Sequence, residues 1–249
     1  MMTWRTLPYI LLLGLMSGCS WFDGKDEDVI KPAALQKIQS EVAFSALWTA
    51  RVGAGAADKA IKLEPALSGG RIFAASADGT ILAVQADTGN KVWSRDVRDL
   101  YAEADVDHAF AKDVDVITGG VGAGNDIVLV GTSAGEVLAL YQSDGSIAWR
   151  AEVSSEVLAP PQILNQLVVA QAIDGSVTGL DAFTGEQRWR FSTSLPALTL
   201  RGTATPILRD DVVIAGFANG RVALIDPDRG VAAIDERVAA APGRSDLER

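Results

Sequence analysis

The fold is decided by the stretch Leu167-Val-Val-Ala-Gln-Ala-Ile-Asp-Gly175-Ser-Val-Thr-Gly-Leu-Asp-Ala-Phe-Thr-Gly185-Glu-Gln-Arg-Trp189. Two apolar runs rich in β-branched residues flank Asp174-Gly175, a dipeptide typical of tight β-hairpins because it tolerates positive φ. A second turn ends at Gly185, where glycine supplies a left-handed residue, and Trp189 then opens another strand. The stretch therefore predicts consecutive antiparallel strands of one small sheet.

The same pattern occurs four times along the chain. In each copy two glycines lie ten residues apart, and the first glycines of successive copies are 56, 40 and 45 residues apart. A propeller blade takes about 40 to 50 residues, and stacking such sheets around an axis buries the apolar faces that a lone sheet would expose. We therefore expect an all-β fold: a β-propeller of antiparallel four-stranded blades, with about four blades present. The copies are Ile72–Trp93, Ile127–Trp149, Leu167–Trp189 and Val212–Gly230.

A tryptophan follows the second glycine by four residues in three of the copies, at Trp93, Trp149 and Trp189. In the fourth copy Ile234 stands at this position. We interpret the three indoles as structural side chains packed between neighbouring blades, each worth about 3 to 5 kcal/mol if truncated, and not as a ligand site.

The first 18 residues are predicted to be a signal peptide. Arg5 precedes an apolar run of about ten residues, too short for a membrane-spanning helix, which needs about 20. The lone cysteine, Cys19, follows Ser17-Gly18, and this stretch resembles a bacterial lipobox, which implies that Cys19 is lipidated and becomes the first residue. Ser20, rather than Asp, implies by resemblance to lipoprotein sorting rules an outer-membrane location facing the periplasm. The alternative is an ordinary signal peptide with an incidental cysteine.

Three segments are expected from this organisation. Residues 1–18 are the signal peptide, and residues 19–41 are the lipidated N-terminus and a charged tether without sustained periodicity. Residues 42–249 are the partial propeller.

The turn-and-tryptophan stretch Asp87-Thr88-Gly89-Asn90-Lys91-Val92-Trp93 resembles the repeats of pyrroloquinoline-quinone-type propellers. Together with the lipobox and the strand expected around Leu47-Trp48, it is similar to the BamB family of outer-membrane lipoproteins. That resemblance implies a non-catalytic scaffold of the BAM complex, which binds BamA and other subunits and assists the insertion of outer-membrane proteins. The family has an eight-bladed ring, so four repeats correspond to half a ring, and we expect a truncated gene or a fragment.

The segment Leu195–Pro206 carries the partner-binding residues that the resemblance implies. In BamB proteins a Leu-x-Leu-Arg-Gly stretch between blades contacts BamA, and Leu198, Leu200 and Arg201 match it here. Two leucines beside an arginine offer apolar anchors and a charge for a partner carboxylate. Without the resemblance, alternating apolar positions favour a buried strand between blades.

The charge balance and the rare residue types exclude several functions. With 22 basic and 32 acidic residues the net charge is -10, which argues against a nucleic-acid partner. One cysteine and one histidine, His108, leave no zinc site, and His108 lies in an acidic insertion from Tyr101 to Asp115 that we expect in a surface loop. We predict no catalytic residues, no metal and no cofactor.

Two stretches, one rich in acidic residues and one rich in glycine, are predicted to bind no ligand. The pairs Asp105/Asp107 and Asp113/Asp115 lack the spacing of a calcium loop. The run Gly119–Gly124 has no following Lys-Ser or Lys-Thr and precedes a strand at Ile127–Val130, so it is predicted to be a flexible turn, not a nucleotide loop.

Two other functions stay open from the sequence. One is a quinone-dependent dehydrogenase, because those enzymes share the repeat; many of them have an adjacent-cysteine disulfide, which a chain with one cysteine lacks. The other is a propeller lipoprotein that binds another cell-envelope ligand, such as cell wall or lipid.

Overall fold

The computed structural model describes residues 34–35, 42–56, 59, 61–103, 117–196 and 201–239. The chain divides into two units, Met1–Ser45 and Ala46–Arg249. In the first unit, the described residues are exposed and lie in no helix or strand. The helices and strands of the described residues all belong to the second unit.

The described part of the second unit forms four sheets of four antiparallel strands, each with its strands in chain order. This confirms the predicted all-β fold and its four blades. Blade 1 consists of β1 (Ala66–Ser68), β2 (Arg71–Ala75), β3 (Thr80–Gln85) and β4 (Lys91–Asp96). Blade 2 consists of β5 (Ile117–Gly124), β6 (Ile127–Thr132), β7 (Glu136–Tyr141) and β8 (Ile147–Glu152). Blade 3 consists of β9 (Gln162–Leu164), β10 (Leu167–Gln171), β11 (Ser176–Asp181) and β12 (Gln187–Ser192). Blade 4 consists of β13 (Ile207–Leu208), β14 (Val213–Gly216), β15 (Arg221–Ile225) and β16 (Ala232–Arg237).

The hairpin between the second and third strands of each blade turns at a glycine with positive φ. The φ values are 96° at Gly79, 82° at Gly135, 85° at Gly175 and 74° at Gly220. In three blades the preceding Asp or Asn also closes the turn: the side chain of Asp78, Asp174 or Asn219 accepts a hydrogen bond from the backbone N–H two residues later. The dipeptide in the sequence thus supplies both the backbone freedom and the acceptor.

The apolar faces of the sheets are buried against one another in chain order. Three clusters of buried side chains lie between blades 1 and 2, between blades 2 and 3, and between blades 3 and 4. Representative members are Phe73 and Leu140 in the first cluster, Leu129 and Leu180 in the second, and Val169 and Ile225 in the third, all 0 % exposed. Burial of this kind contributes about 1.5 to 3 kcal/mol for each large side chain.

Each tryptophan of the repeat packs on the second glycine of the next blade. The indole N–H of Trp93 donates to the carbonyl of Gln142 (2.9 Å), and that of Trp149 donates to the carbonyl of Ala182 (2.9 Å). Trp189 donates in the same way to Pro227 (2.6 Å). The glycines beneath these rings are Gly145, Gly185 and Gly230.

Trp48 makes the same contact on blade 1. Its indole N–H donates to the carbonyl of Ala86 (3.1 Å), and its ring lies against Gly89. The strand expected around Leu47-Trp48 is absent, since the described residues 42–56 contain no strand.

The glycine-rich run Gly119–Gly124 is not a flexible turn, and this prediction is wrong. It belongs to β5, the first strand of blade 2, which pairs along β6. A Cβ added at Gly119 would lie 2.7 Å from the carbonyl oxygens of Val157 and Ala159. Glycine is therefore needed because the segment leading into blade 3 passes directly over β5, not because the backbone turns.

The insertion predicted as a surface loop begins in a helix, α1 (Val97–Glu103). Tyr101 of this helix is only 3 % exposed, and its hydroxyl donates to Glu136 on β7 (2.5 Å). The guanidinium of Arg150 lies 5.3 Å from the centre of the Tyr101 ring and pairs with Glu136 at 3.2 Å. Burial, with the hydrogen bond and charge of Glu136, raises the pKa of Tyr101 well above its usual value. Residues 104–116, with His108 and the acidic pairs, lie outside the described residues.

Candidate partner-binding site

Of the three residues predicted to contact a partner, the structure describes Arg201. Leu198 and Leu200 lie outside the described residues, as does Cys19. Arg201 lies at the junction of blades 3 and 4.

Arg201 forms a two-point ion pair with Glu156. Its Nη2 lies 2.5 Å from Glu156 Oε1, and its Nε lies 3.2 Å from Glu156 Oε2. The arginine side chain is 41 % exposed, whereas the glutamate side chain is 14 % exposed. Such a fork fixes the plane of the guanidinium, so Arg201 is held in one orientation while part of it faces solvent.

Glu156 is itself held by the segment that connects β8 to β9. Its carbonyl accepts a hydrogen bond from the backbone N–H of Ile173 (2.9 Å), and the next residue, Val157, donates to the carbonyl of Thr132 (3.2 Å). Arg201 is thus anchored on a segment that is pinned to both blades 2 and 3.

A cleft with a volume of about 570 Å³ borders Arg201 between blades 3 and 4. Its lining is mostly apolar, with polar side chains at a few points. The lining includes Gln171, Ala172, Thr203, Ala204, Phe217 and Val222.

Two polar side-chain atoms in this lining lack a hydrogen-bond partner among the described residues: Gln171 Oε1 and Thr203 Oγ1. Gln171 is 2 % exposed, and its Nε2 donates to the carbonyl of Gly216 across the junction (2.8 Å). Its oxygen therefore has no donor within the part of the chain that the structure describes, a state that costs about 1 to 3 kcal/mol when the atom is shielded from water.

Sequence reasoning missed Glu156, Gln171 and Gly202 at this junction. A comparison of the repeats could have found the last of them, because Val157 and Gly202 each stand 18 residues before the first glycine of their blade. The ion pair of Glu156 with Arg201 joins residues 45 positions apart in the chain and leaves no local signal.

No metal-binding group of three or more His, Cys, Asp or Glu side chains occurs in the described ranges. Within the same ranges, no helix has both the length and the apolar character to cross a bilayer.

Four blades of this repeat, with an indole on a glycine at every junction, define a β-propeller of the pyrroloquinoline-quinone type. The chain belongs to the family described as outer membrane protein assembly factor BamB, whose model matches residues 45–114 and 103–249.

Curated proteins named outer membrane protein assembly factor BamB are similar to nearly the whole chain. The protein of Yersinia pestis is 30 % identical over 96 % of this chain and 60 % of its own length. The protein of Xanthomonas campestris pv. campestris is 34 % identical over 99 % of this chain and 61 % of its own length. The chain thus spans about 60 % of the length of the curated relatives that it matches.

Solved structures share this fold. The crystal structure of BamB from Moraxella catarrhalis superposes with a TM-score of 0.63 at 28 % identity, covering 74 % of this chain and 51 % of that one. The quinohemoprotein alcohol dehydrogenase from Comamonas testosteroni has a TM-score of 0.52 at 17 % identity, covering 71 % of this chain and 35 % of that one. This second likeness shows the fold alone.

Proposed function

We propose that the chain is a non-catalytic scaffold that assists the folding and insertion of outer-membrane β-barrel proteins as part of the BAM complex. The observation that carries this proposal is the family match over residues 45–249, together with relatives that are named as assembly factors. A rigid stack of blades that exposes an oriented arginine suits a scaffold, whose task is to position a partner.

The scaffold is anchored in the outer membrane by acyl chains on Cys19 and faces the periplasm. Each buried methylene contributes about 0.8 kcal/mol, so several acyl chains hold a protein durably. In a Gram-negative host fed labelled palmitate, the wild-type chain should be labelled and should fractionate with outer membranes. Cys19→Ser should abolish both, and labelling of that variant would contradict the anchor.

Leu198, Leu200 and Arg201 form the contact with a BamA-like protein. The geometry of Arg201 supports this role, because Glu156 occupies Nε and Nη2 and leaves the remaining guanidinium donors for a partner carboxylate. The two leucines precede Arg201 in the chain and would supply the apolar part of a hot spot.

A pull-down with the periplasmic domains of BamA tests this contact. The double variant Leu200→Glu/Arg201→Glu should reduce BamA recovery by about tenfold or more, the range expected for a hot spot. Arg229→Glu is the control, because Arg229 is an exposed arginine in the turn between β15 and β16 and should leave recovery unchanged. Equal recovery with the double variant would refute the proposed contact.

The absence of catalysis is tested separately. Purified protein supplied with pyrroloquinoline quinone, Ca²⁺, ethanol and an artificial dye acceptor should reduce no dye above the protein-free rate. Sustained reduction that requires both quinone and alcohol would replace the scaffold proposal with the dehydrogenase alternative.

A further inference from the structure

The segment that connects β8 to β9 holds the backbone of Glu156 on both sides. Before it, Ser155 packs on the hairpin of blade 2, where a Cβ added at Gly135 would lie 3.1 Å from the carbonyl of Ser155. After it, Val157 is 0 % exposed and packs over Gly131. The carboxylate of Glu156 therefore extends from a backbone that has little freedom to move.

The backbone around Arg201 is held much less firmly. Within the described part of the chain, residues 201–205 take part in no backbone–backbone hydrogen bond. Arg201 and Gly202 are both exposed, and a Cβ added at Gly202 would meet nothing within 4 Å. The guanidinium of Arg201 therefore takes its position from the carboxylate of Glu156 rather than from its own backbone.

The ion pair leaves one end of the guanidinium for another molecule. Glu156 accepts hydrogen bonds from Nε and Nη2 of Arg201, which lie on the same edge of the planar group. Within the described residues, Glu156 is the acceptor of every hydrogen bond from this side chain. The donors that remain are both N–H groups of Nη1 and the second N–H of Nη2. A second carboxylate can accept from these two nitrogens in another two-point contact.

We propose that Glu156 is a positioning residue for partner binding. It touches no atom of the partner, and it holds Arg201 so that the remaining guanidinium donors are presented in one orientation. A free arginine side chain samples many rotamers, and a partner that must fix one of them binds with lower affinity. Here the fold fixes the rotamer before the partner binds. The inference rests on the proposed function, because it requires that Arg201 contacts a BamA-like protein.

The charge of Glu156 acts in the opposite direction, because it repels a partner carboxylate. The two carboxylates would lie on different edges of one guanidinium, whose positive charge stands between them. The side chain of Arg201 is 41 % exposed, so water and salt screen this repulsion. Orientation is therefore the larger effect, and removal of Glu156 should weaken binding.

The first experiment measures the dissociation constant of the full chain and the periplasmic domains of BamA by biolayer interferometry. Glu156→Ala should raise this constant about three- to tenfold, which corresponds to fixing one long side chain on binding. Glu152→Ala is the matched control, because it removes an exposed glutamate at the end of β8 in the same part of the chain. This control should bind like the wild type.

A double-mutant cycle separates positioning from a general role in the folding of the segment. Arg201→Ala should weaken binding by itself, and the proposed leucine contacts keep the remaining affinity measurable. In that background Glu156→Ala should cause no further loss, because its effect passes through Arg201. A residue that only kept the segment folded would lower the affinity by the same factor with and without Arg201. Circular dichroism establishes that each variant is folded before binding is measured.

The inference is overturned if Glu156→Ala binds as tightly as the wild type, or if the two substitutions act independently. If Arg201→Ala binds like the wild type, the proposed contact of Arg201 itself fails, and the positioning role of Glu156 fails with it. Weaker binding of Arg201→Ala together with wild-type binding of Glu156→Ala removes the positioning role alone, so the two failures are distinguishable.

Discussion

At the scale of the residue, a contact between an indole and a glycine recurs at each junction of the described blades. The glycine has a positive φ, 73° at Gly145 and 75° at Gly185, and lies directly against the ring of the preceding blade. Glycine is therefore needed at this position for two separate reasons: the backbone has a positive φ, and the indole leaves no space for a Cβ. Substitutions can separate them.

Gly145→Ala should destabilise the fold more than Gly55→Ala. Both glycines have positive φ, so backbone strain should lower the free energy of unfolding by about 1 to 2 kcal/mol in each alanine variant. A Cβ at Gly145 would also lie 2.8 Å from Trp93, whereas one at Gly55 would meet nothing within 4 Å, so overpacking adds about 1 to 3 kcal/mol at Gly145 alone. Urea unfolding of the two variants measures the difference. If both variants lost the same free energy of unfolding, the indole of Trp93 would have to move aside without an energetic cost.

Trp149→Ala should lower the free energy of unfolding by about 3 to 5 kcal/mol, because the ring is buried between blades 2 and 3. Trp149→Phe keeps an aromatic ring but removes the N–H that donates to the carbonyl of Ala182. This variant should lose clearly less free energy of unfolding than the alanine variant. Guanidinium titrations followed by circular dichroism give both values. A loss below about 1 kcal/mol for the alanine variant would contradict an inter-blade role for the indole.

At the scale of the element, the turns are held by carboxylates. The carboxylate of Asp181 accepts backbone hydrogen bonds from Phe183 and Thr184 and pairs with Arg188 at 2.5 Å. The hydrogen bond from Arg188 is the main reason that the pKa of Asp181 lies below its usual value. The hydrogen bonds from Arg98 lower the pKa of Asp96 in the same way.

Stability should therefore fall in acid. A carboxylate with a lowered pKa in the folded state binds fewer protons than in the unfolded chain, so its contribution is present above the unfolded pKa of about 3.9 and is lost as pH falls through the folded value. Urea midpoints should be nearly constant from about pH 7 to about pH 5 and should decrease below about pH 4. In Asp181→Asn the decrease should be shallower, and an identical pH profile would show that Asp181 takes no part.

Predictions from sequence succeeded where the cause is local and failed where it is distant. The hairpin turns followed from Asp-Gly and Asn-Gly dipeptides, since the turn is determined by adjacent residues. The glycine run of β5 was misassigned because the need for glycine comes from Val157 and Ala159, about 40 residues later in the chain. The helix α1 was missed for a similar reason: Tyr101 is buried through its contact with Glu136, which local sequence does not reveal.

At the scale of the whole molecule, the repeat predicted the order of the blades but not the site. Arg201 was selected by its resemblance to a family motif, whereas its orientation depends on Glu156 in the preceding inter-blade segment. The cleft beside it is lined by residues of two blades, among them Gln171 and Phe217, and no local pattern in the sequence indicates it.

Residues at equivalent positions of two blades can also differ in burial. Leu129 in blade 2 and Ile214 in blade 4 each stand six residues before the first glycine of their blade. Leu129 is 0 % exposed between blades 2 and 3. Ile214 is only partly buried. It lies on the same face of blade 4 as Ile234, which is 48 % exposed, and the described residues leave this face partly open to solvent.

Leu129→Glu and Ile214→Glu should therefore lower the free energy of unfolding by unequal amounts. Burying a carboxylate among apolar side chains costs several kcal/mol, so Leu129→Glu should lose more than about 4 kcal/mol or fail to fold. On the face of blade 4 the glutamate can reach water, so Ile214→Glu should lose about 1 kcal/mol or less. Guanidinium titrations of the two variants decide the matter. If both variants lost the same amount, the face of blade 4 would have to be as closed in solution as the three junctions between blades, and the chain would have to cover it by self-association or by residues outside the described ranges.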